Sequence, residues 1–202
     1  KIKNRGGMNI PLTVMSEDYF KSSKQKFDMF YGGYFSVLAI MFFYNLIIGL
    51  NLRSKTYTLF VGYLFFWTLM TAGISGVGRY AFTDWIPFSN KAMIFSIGMA
   101  LCFYILFIRD FLKIKSQSLK WEKTYRYSTL IGSVIFLISL FLNLRDAFIG
   151  IAIVGSFWAT MVLSSVIYFF RKMKQARIAA YSFSIILVGA ILKVLSSIGA
   201  LP

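Results

Sequence analysis

Long apolar runs alternate with short polar connections along most of the chain. After a polar amino-terminal stretch come six runs almost free of charge, each close to the ~17–25 residues that a helix needs to cross a bilayer. They predict transmembrane helices over about residues 29–52, 56–78, 92–112, 125–144, 147–170 and 177–200. The predicted fold class is an all-α membrane protein, a polytopic bundle of transmembrane helices.

Residues 1–28 differ from the rest because they are polar and mixed in charge. Residues 10–14 are short, β-branched and preceded by two glycines, a pattern typical of an edge strand. Two interpretations stand side by side: the exit strand and linker of an upstream extracytoplasmic domain, or a disordered tail. The chain starts with Lys1 and shows no apolar signal segment, so we expect it to be part of a longer protein.

The connection over residues 108–127 predicts the orientation of the bundle. It carries six basic residues against two acidic ones. The first, third and fifth connections hold twelve Lys and Arg residues, whereas the second and fourth hold three. Short loops rich in Lys and Arg stay on the cytoplasmic side. We therefore expect the amino terminus outside, although six basic residues in the tail oppose this; long tails follow the charge rule poorly.

Composition agrees with a membrane protein. The chain of 202 residues is 58% hydrophobic and 14% charged, against roughly a quarter charged in soluble domains. Its net charge of +15 could indicate nucleic-acid binding. The basic residues cluster between apolar runs, however, so they are interpreted as orientation determinants. The predicted partner is the lipid bilayer, and no nucleic acid is expected.

Residues that could carry out chemistry are scarce. The chain has no His and one cysteine, Cys102, which excludes a His/Cys metal cluster and an internal disulfide. All seven acids fall in tails, loops or predicted helix ends, so no mid-membrane carboxylate is available for a proton relay. Ser164 and Ser165 have no base beside them and are expected to bond to helix carbonyls or to let helices approach. We predict no catalytic residue, cofactor or metal, and no enzymatic activity for this segment.

Four positions near the predicted outer side and in the last span have competing interpretations. Trp85 and Phe88, in the second connection, are interpreted as part of an interfacial aromatic belt, ahead of a ligand lid or a docking surface. Gly76 is expected to allow close helix contact, ahead of a kink. Lys193 is a charge well inside a span; its stem is expected to snorkel outward, ahead of pairing in the bundle and, last, a cofactor linkage.

Polar positions on the first and third helices complete the set of candidates. Asn45, next to Tyr44, is expected to form a hydrogen bond with a neighbouring helix. Residues 52–57 form a tight basic turn, and residues 107–112 extend the third helix beyond the membrane. The candidate coupling and packing residues are Tyr44, Asn45, Arg53, Tyr57, Gly76, Arg109, Phe111 and Leu112.

Several short motifs occur in a fixed order along residues 32–202. They are GGYFSVL, YNL followed by LRSKTY, ISGVGRYAF, FIRDFL, and the segment from ARIAAYSF to IGALP. In this order and spacing, the chain resembles the membrane region of the bacterial seven-transmembrane receptors with diverse intracellular signalling modules (7TMR-DISM). The resemblance implies an upstream extracytoplasmic β-sandwich sensor and a downstream cytoplasmic output module, in the bacterial cytoplasmic membrane. Six of the expected seven helices are present, and the seventh would follow Pro202.

The resemblance favours a sensory transducer, which couples ligand binding outside to an output module inside by rearranging its helices. As a hypothesis, a homodimer would align the output modules. The alternative is a small carrier or channel subunit, for which we would expect a repeat between halves and interrupted helices. Neither feature is clear, and none of the three prolines lies in mid-span. A membrane enzyme is disfavoured further, because the sequence contains no His and places no acidic residue in mid-span.

Overall fold

The computed structural model describes residues 16–75, 77, 90–182 and 184. Its helices are α1 (Glu17–Leu52), α2 (Lys55–Ser75), α3 (Asn90–Phe111), α4 (Ile114–Gln117), α5 (Leu119–Ser139) and α6 (Leu144–Phe169), and residues 174–182 are helical as well. The described residues contain no strand, and the predicted all-α polytopic membrane fold is confirmed. Four helices are long and apolar enough to cross a membrane; these are α1, α2, Ala92–Phe111 of α3 and Arg145–Phe169 of α6.

The first helix is longer than the apolar pattern predicts. It begins at Glu17 instead of near residue 29. The side-chain oxygen of Ser16 accepts a hydrogen bond from the backbone N–H of Tyr19 at 3.4 Å, which caps the exposed N–H groups of the first turn. The described part of the predicted linker is thus helical and continuous with the first span. The predicted strand over residues 10–14 lies outside the described residues.

The helix predicted over residues 125–144 also begins earlier, at Leu119. Its first eight residues carry four charges, which makes its apolar stretch shorter than those of the four helices above. The helix ends at Ser139, before the predicted boundary. For the helix predicted over residues 177–200, the structure places the start at residue 174. The remainder of that helix from residue 185 onward lies outside the described part of the chain.

The α2–α3 interface is built from aromatic rings packed against each other and against a glycine. Among the described residues four ring pairs cross it. They are Phe60–Phe107, Tyr63–Tyr104, Phe66–Phe103 and Phe66–Phe95, with centroids 5.0, 5.4, 5.6 and 6.0 Å apart. A Cβ at Gly62 would lie 2.6 Å from the ring of Phe103. The absence of a side chain at Gly62 therefore lets the ring lie directly against the α2 backbone.

Glycines also admit rings between α3, α5 and α6. The ring of Phe136 lies over Gly98, and the indole of Trp158 lies over Gly132, so that a Cβ at either glycine would overlap the ring. The indole N–H of Trp158 donates to the hydroxyl of Ser128 at 2.9 Å, which fixes the position of the ring. In a bilayer such close packing and internal hydrogen bonds drive helix association, because burying apolar surface away from lipid gains little.

The largest buried cluster lies toward one end of the bundle. It joins α3, α4, α5, α6 and the segment that follows α6, and its buried members are Ile105, Ile108, Leu112, Ile114, Tyr125, Val154, Trp158, Met161, Val162, Val166, Phe169, Met173, Ala176 and Ala179. This end contains residues 109–126, which carry the six basic residues noted in the sequence and are called the basic corner below. The basic corner is therefore a packed element rather than a simple loop.

By contrast, α1 lies at the periphery and packs along α2. Of its described residues, only Leu38 and Gly49 are buried. The indole N–H of Trp67 on α2 donates to the hydroxyl of Tyr34 on α1 at 3.0 Å. Most of the remaining apolar surface of α1 is exposed in the described structure, as suits a helix that faces lipid.

Candidate functional site

The turn between α1 and α2 contains two of the predicted positions, Arg53 and Tyr57. Arg53 has φ 46°, in the left-handed region, and its backbone N–H donates to the carbonyl of Gly49, which ends α1. A Cβ at Gly49 would lie 3.2 Å from the Cβ of Tyr57, so a glycine lets α2 turn back closely against α1. The side chain of Arg53 is exposed. The turn thus connects the two helices through backbone geometry.

The hydrogen bond predicted between Asn45 and a neighbouring helix is not present among the described residues. The side-chain amide of Asn45 donates to the carbonyl of Met41 on its own helix, at 2.7 Å. A carbonyl one turn earlier is within reach of a short side chain on any helix, so one N–H of the amide is bonded without a partner helix. Tyr44, beside it, is 64% exposed. Neither side chain contributes to the helix interfaces described above.

Arg109 connects the end of α3 to the start of α5. Its Nε donates to Oε2 of Glu122 at 3.1 Å, and its Nη2 donates to Oε1 of the same carboxylate. The arginine and glutamate side chains are 30% and 17% exposed. A two-pronged, partly buried pair of this kind holds both position and angle. The sequence singled out Arg109 but offered no signal for its partner, which lies in another helix.

The next residue, Asp110, connects α3 to a different helix. The hydroxyl of Thr56, in the first turn of α2, donates to its carboxylate Oδ2. The sequence alone places Asp110 among the acids at helix ends and contains no signal that selects Thr56. Adjacent residues at the end of α3 therefore hold two neighbouring helices, α2 through Asp110 and α5 through Arg109.

Beyond this point the chain turns sharply within the basic corner. Lys113 has φ 47°, and its backbone N–H donates to the carbonyl of Asp110 at 3.0 Å. The turn buries the side chains of Leu112 and Ile114 completely, at 0% exposure. Phe111 ends α3 and stacks on Phe107 with ring centroids 5.5 Å apart. Of the predicted residues here, Leu112 belongs to the core, and Phe111 extends the aromatic interface.

The basic corner is also tied to α6. The hydroxyl groups of Tyr125 and Ser165 lie 2.7 Å apart in a fully buried hydrogen bond. The Ser165 hydroxyl donates its proton to the carbonyl of Val162 at 2.8 Å, so the Tyr125 hydroxyl is the donor to Ser165. Ser164 donates to the carbonyl of Thr160 at 2.7 Å. The prediction that these serines bond to helix carbonyls is confirmed. No local pattern indicates that Ser165 also bonds to another helix.

A cleft of about 710 Å³ opens beside these connections. It lies between the start of α2 and the end of α3, with α4 at its rim. Its lining residues are Lys55, Thr56, Leu59, Leu106, Arg109, Asp110, Lys113, Lys115 and Ser116. Within the described part of the chain, no group of three or more His, Cys, Asp or Glu side chains could hold a metal ion. The polar side chains that line the cleft are therefore mainly charged groups, one of which, Arg109, is ion-paired.

Four predicted positions cannot be placed in this arrangement. Gly76, Trp85, Phe88 and Lys193 lie outside the described residues. Packing at Gly76, the aromatic belt and the snorkelling lysine therefore stay predictions.

Comparison with known proteins adds one match. The family model described as 7TM diverse intracellular signalling matches residues 27–202, most of the chain. No curated protein and no solved structure matches the chain significantly. The match confirms the resemblance inferred from the order of the short motifs. The chain therefore belongs to the 7TM diverse intracellular signalling family, and it is a signalling-related transmembrane receptor region.

Proposed function

We propose that this segment transmits a signal by helix rearrangement from an extracytoplasmic ligand-binding domain to a cytoplasmic output module of the same chain. The observation that carries the proposal is the pair of connections at adjacent residues, Arg109 to Glu122 and Asp110 to Thr56. Because both start from the end of α3, a displacement of α2 would displace α3 and, through α3, α5. In the described part of this end, the Tyr125–Ser165 hydrogen bond is a further polar contact between helices.

The first step is carried by α1. This helix has 36 residues, which corresponds to ~54 Å at 1.5 Å per residue, well beyond the ~30 Å hydrocarbon core. It can therefore connect a domain outside the membrane to the turn at Arg53 without interruption. Its sparse burial leaves it able to shift against α2.

The second step runs from α2 to the remaining helices. Movement of the α1–α2 turn shifts Thr56, which lies in the first turn of α2 and is bonded to Asp110. The pair of Arg109 and Glu122 passes the shift to α5, and the Tyr125–Ser165 bond passes it to α6. The proposal requires a second arrangement of these polar contacts, so that an input that favours one arrangement changes its population.

The same proposal assigns the domain division, orientation and location. Residues 1–28 are the exit strand and linker of the sensor, and residues 29–202 are the membrane domain. The excess of Lys and Arg in the first, third and fifth connections supports an outside amino terminus in the bacterial cytoplasmic membrane. A homodimer would align two output modules. The partners within the chain are the upstream sensor and the downstream module.

Charge reversal in the full-length receptor tests the coupling. We expect Arg109→Glu and Glu122→Arg each to shift the signalling equilibrium by about 10- to 100-fold, since each places like charges together where a two-pronged pair stood. The double variant R109E/E122R should restore output, measured with a reporter of the output module. Lys120→Glu, an exposed change in the same corner, is the matched control.

Two outcomes would contradict this role. One is normal output from both single variants at normal membrane levels. The other is failure of the double variant to recover although it is inserted normally, which would show that the two residues do not act as a pair.

Cysteine labelling tests the orientation. In a Cys102→Ser background, S89C should react with a membrane-impermeant maleimide in intact spheroplasts, and K115C should react only after permeabilisation. The reason is that Ser89 lies in a connection poor in Lys and Arg, whereas Lys115 lies in the richest one. Labelling of K115C in intact spheroplasts would reverse the orientation.

A further inference from the structure

The cleft between α2 and α3 is lined by more cationic side chains than the nearby carboxylates neutralise. Its lining contains four cationic side chains and one carboxylate, that of Asp110. Arg109 is paired with Glu122. The other three cations, Lys55, Lys113 and Lys115, make no ion pair with any described residue. Three lysines therefore surround a cleft that holds a single carboxylate.

The fold brings these lysines together from separate parts of the sequence. Lys55 is the first residue of α2, whereas Lys113 and Lys115 follow α3. The left-handed backbone of Lys113 reverses the chain after α3, and the hydroxyl of Ser116 donates to the carbonyl of Lys113 at 2.9 Å. The turn that buries Leu112 and Ile114 thus also places two of the lysines at the rim of the cleft.

Two apolar side chains line the cleft below this charged rim. Leu59 lies one helical turn beyond Lys55 on α2, and Leu106 lies one turn before Asp110 on α3. Both leucines belong to helices apolar enough to span a membrane. The cleft therefore lies where two spans meet the membrane surface, with cations on the water side and hydrocarbon on the other.

We propose that this cleft binds the headgroup of an anionic phospholipid. Its volume of about 710 Å³ falls within the roughly 300–1,000 Å³ typical of small-molecule sites. The lysines would contact the phosphate, and the leucines would contact the glycerol and the start of the acyl chains. Basic pockets between transmembrane helices recognise anionic headgroups in this way. A soluble phosphate compound would use the same cations but would leave the apolar floor uncovered.

The site shares a wall with the proposed coupling residues, because Thr56, Arg109 and Asp110 line it. A bound headgroup would thus stabilise the arrangement in which α2 and α3 enclose the cleft. Binding itself is measured without a sensor or an output module. Failure of the binding test would leave the proposed function standing, and failure of the charge-reversal test would leave the lipid site standing.

The test titrates the purified chain in neutral detergent with dioleoyl phosphatidylglycerol, dioleoyl phosphatidylcholine or soluble glycerol 3-phosphate, with binding read by native mass spectrometry. The triple variant K55Q/K113Q/K115Q should bind phosphatidylglycerol on the order of 100-fold more weakly, since each lysine near an anionic headgroup changes binding about fivefold. The matched control K120Q/K123Q/R126Q removes the same charge from exposed positions of the basic corner, outside the cleft. It should bind as the unaltered chain does.

The remaining outcomes decide against the proposal. Equal loss of binding in both triple variants would show a general attraction to positive charge. Equal binding of phosphatidylcholine would show that the headgroup charge is not read, and equal binding of glycerol 3-phosphate would show that the site serves a soluble phosphate. If K55Q/K113Q/K115Q does not fold, Leu59→Trp decides instead. It fills the floor of the cleft without changing charge and should also abolish phosphatidylglycerol binding; unchanged binding would overturn the site.

Discussion

α1 and the basic corner differ in a way that their hydrophobicity does not suggest. α1 contains a long apolar run, yet of its described residues only Leu38 and Gly49 are buried. The basic corner is among the most charged stretches of the chain, yet Leu112 and Tyr125 within it are fully buried. In a membrane protein, apolar surface is as stable against lipid as against protein. Packing is therefore concentrated where rings fit glycines and where polar groups find partners.

This difference matches the two roles in the proposed mechanism. A helix that carries movement has to be weakly held along its length, and α1 contacts the described structure chiefly through α2. A region that receives movement has to pass it on without absorbing it. In the proposal the basic corner does so because the Arg109–Glu122 pair joins its two ends, and separate contacts hold it to α2 and α6.

Leucine truncation should show the largest contrast between the two regions. Leu112→Ala leaves a cavity at a side chain with 0% exposure and should lower the free energy of unfolding by about 2–4 kcal/mol. Leu50→Ala, the same change on α1 at 70% exposure, should stay within about 0.5 kcal/mol. Unfolding in detergent measures both. Similar losses in the two variants would show that α1 is as firmly packed as the basic corner.

Adding one methyl group to a glycine should give the next largest effect. Gly132→Ala places a Cβ against the indole of Trp158, which its hydrogen bond to Ser128 prevents from moving aside. We expect a loss of about 1–3 kcal/mol in unfolding free energy. Gly33→Ala is the control on α1, where no atom lies within 4 Å of the new Cβ, and it should be neutral or slightly stabilising. A neutral Gly132→Ala variant would exclude the close α5–α6 contact.

Removing a single hydroxyl should give the smallest effect. Tyr125→Phe loses the 2.7 Å bond to Ser165, and we expect a cost of about 0.6–1.5 kcal/mol. Tyr44→Phe removes a hydroxyl from an exposed side chain on α1 and should leave the thermal midpoint in detergent unchanged. If Tyr125→Phe also leaves the thermal midpoint unchanged, the α5–α6 hydrogen bond through this hydroxyl does not contribute to stability.

Much of the fold follows from local pattern. The lengths of the apolar runs predicted the helical class and approximate positions of the spans, because a bilayer requires a helix of a certain length and little else. The boundary at Glu17 lies outside the apolar run because a helix can continue through polar residues when a cap and a side-chain pair support it, here Ser16 and the Glu17–Lys21 pair. The first turn after Leu119 has no side-chain cap hydrogen bond, and Glu122 within it is instead paired with Arg109 of α3. Hydropathy reports the membrane boundary rather than the helix boundary.

The candidate site was predictable only in part. The sequence selected Arg109, Phe111 and Leu112 from one short motif, and all three have defined contacts at the end of α3. It selected Asn45 for an interhelical bond that the structure replaces with one inside α1. An isolated polar residue in a span indicates that a partner is needed, but it does not indicate where the partner lies.

The sequence by itself determined the membrane class, the helical class and the family, since these depend on run length, composition and the order of short motifs. The tertiary structure alone decided that Glu122 is the partner of Arg109, that Thr56 is the partner of Asp110, and that three lysines surround one cleft. The physical reason is that these contacts join residues on different helices. Their distance in space depends on how the helices pack, and no local pattern encodes it.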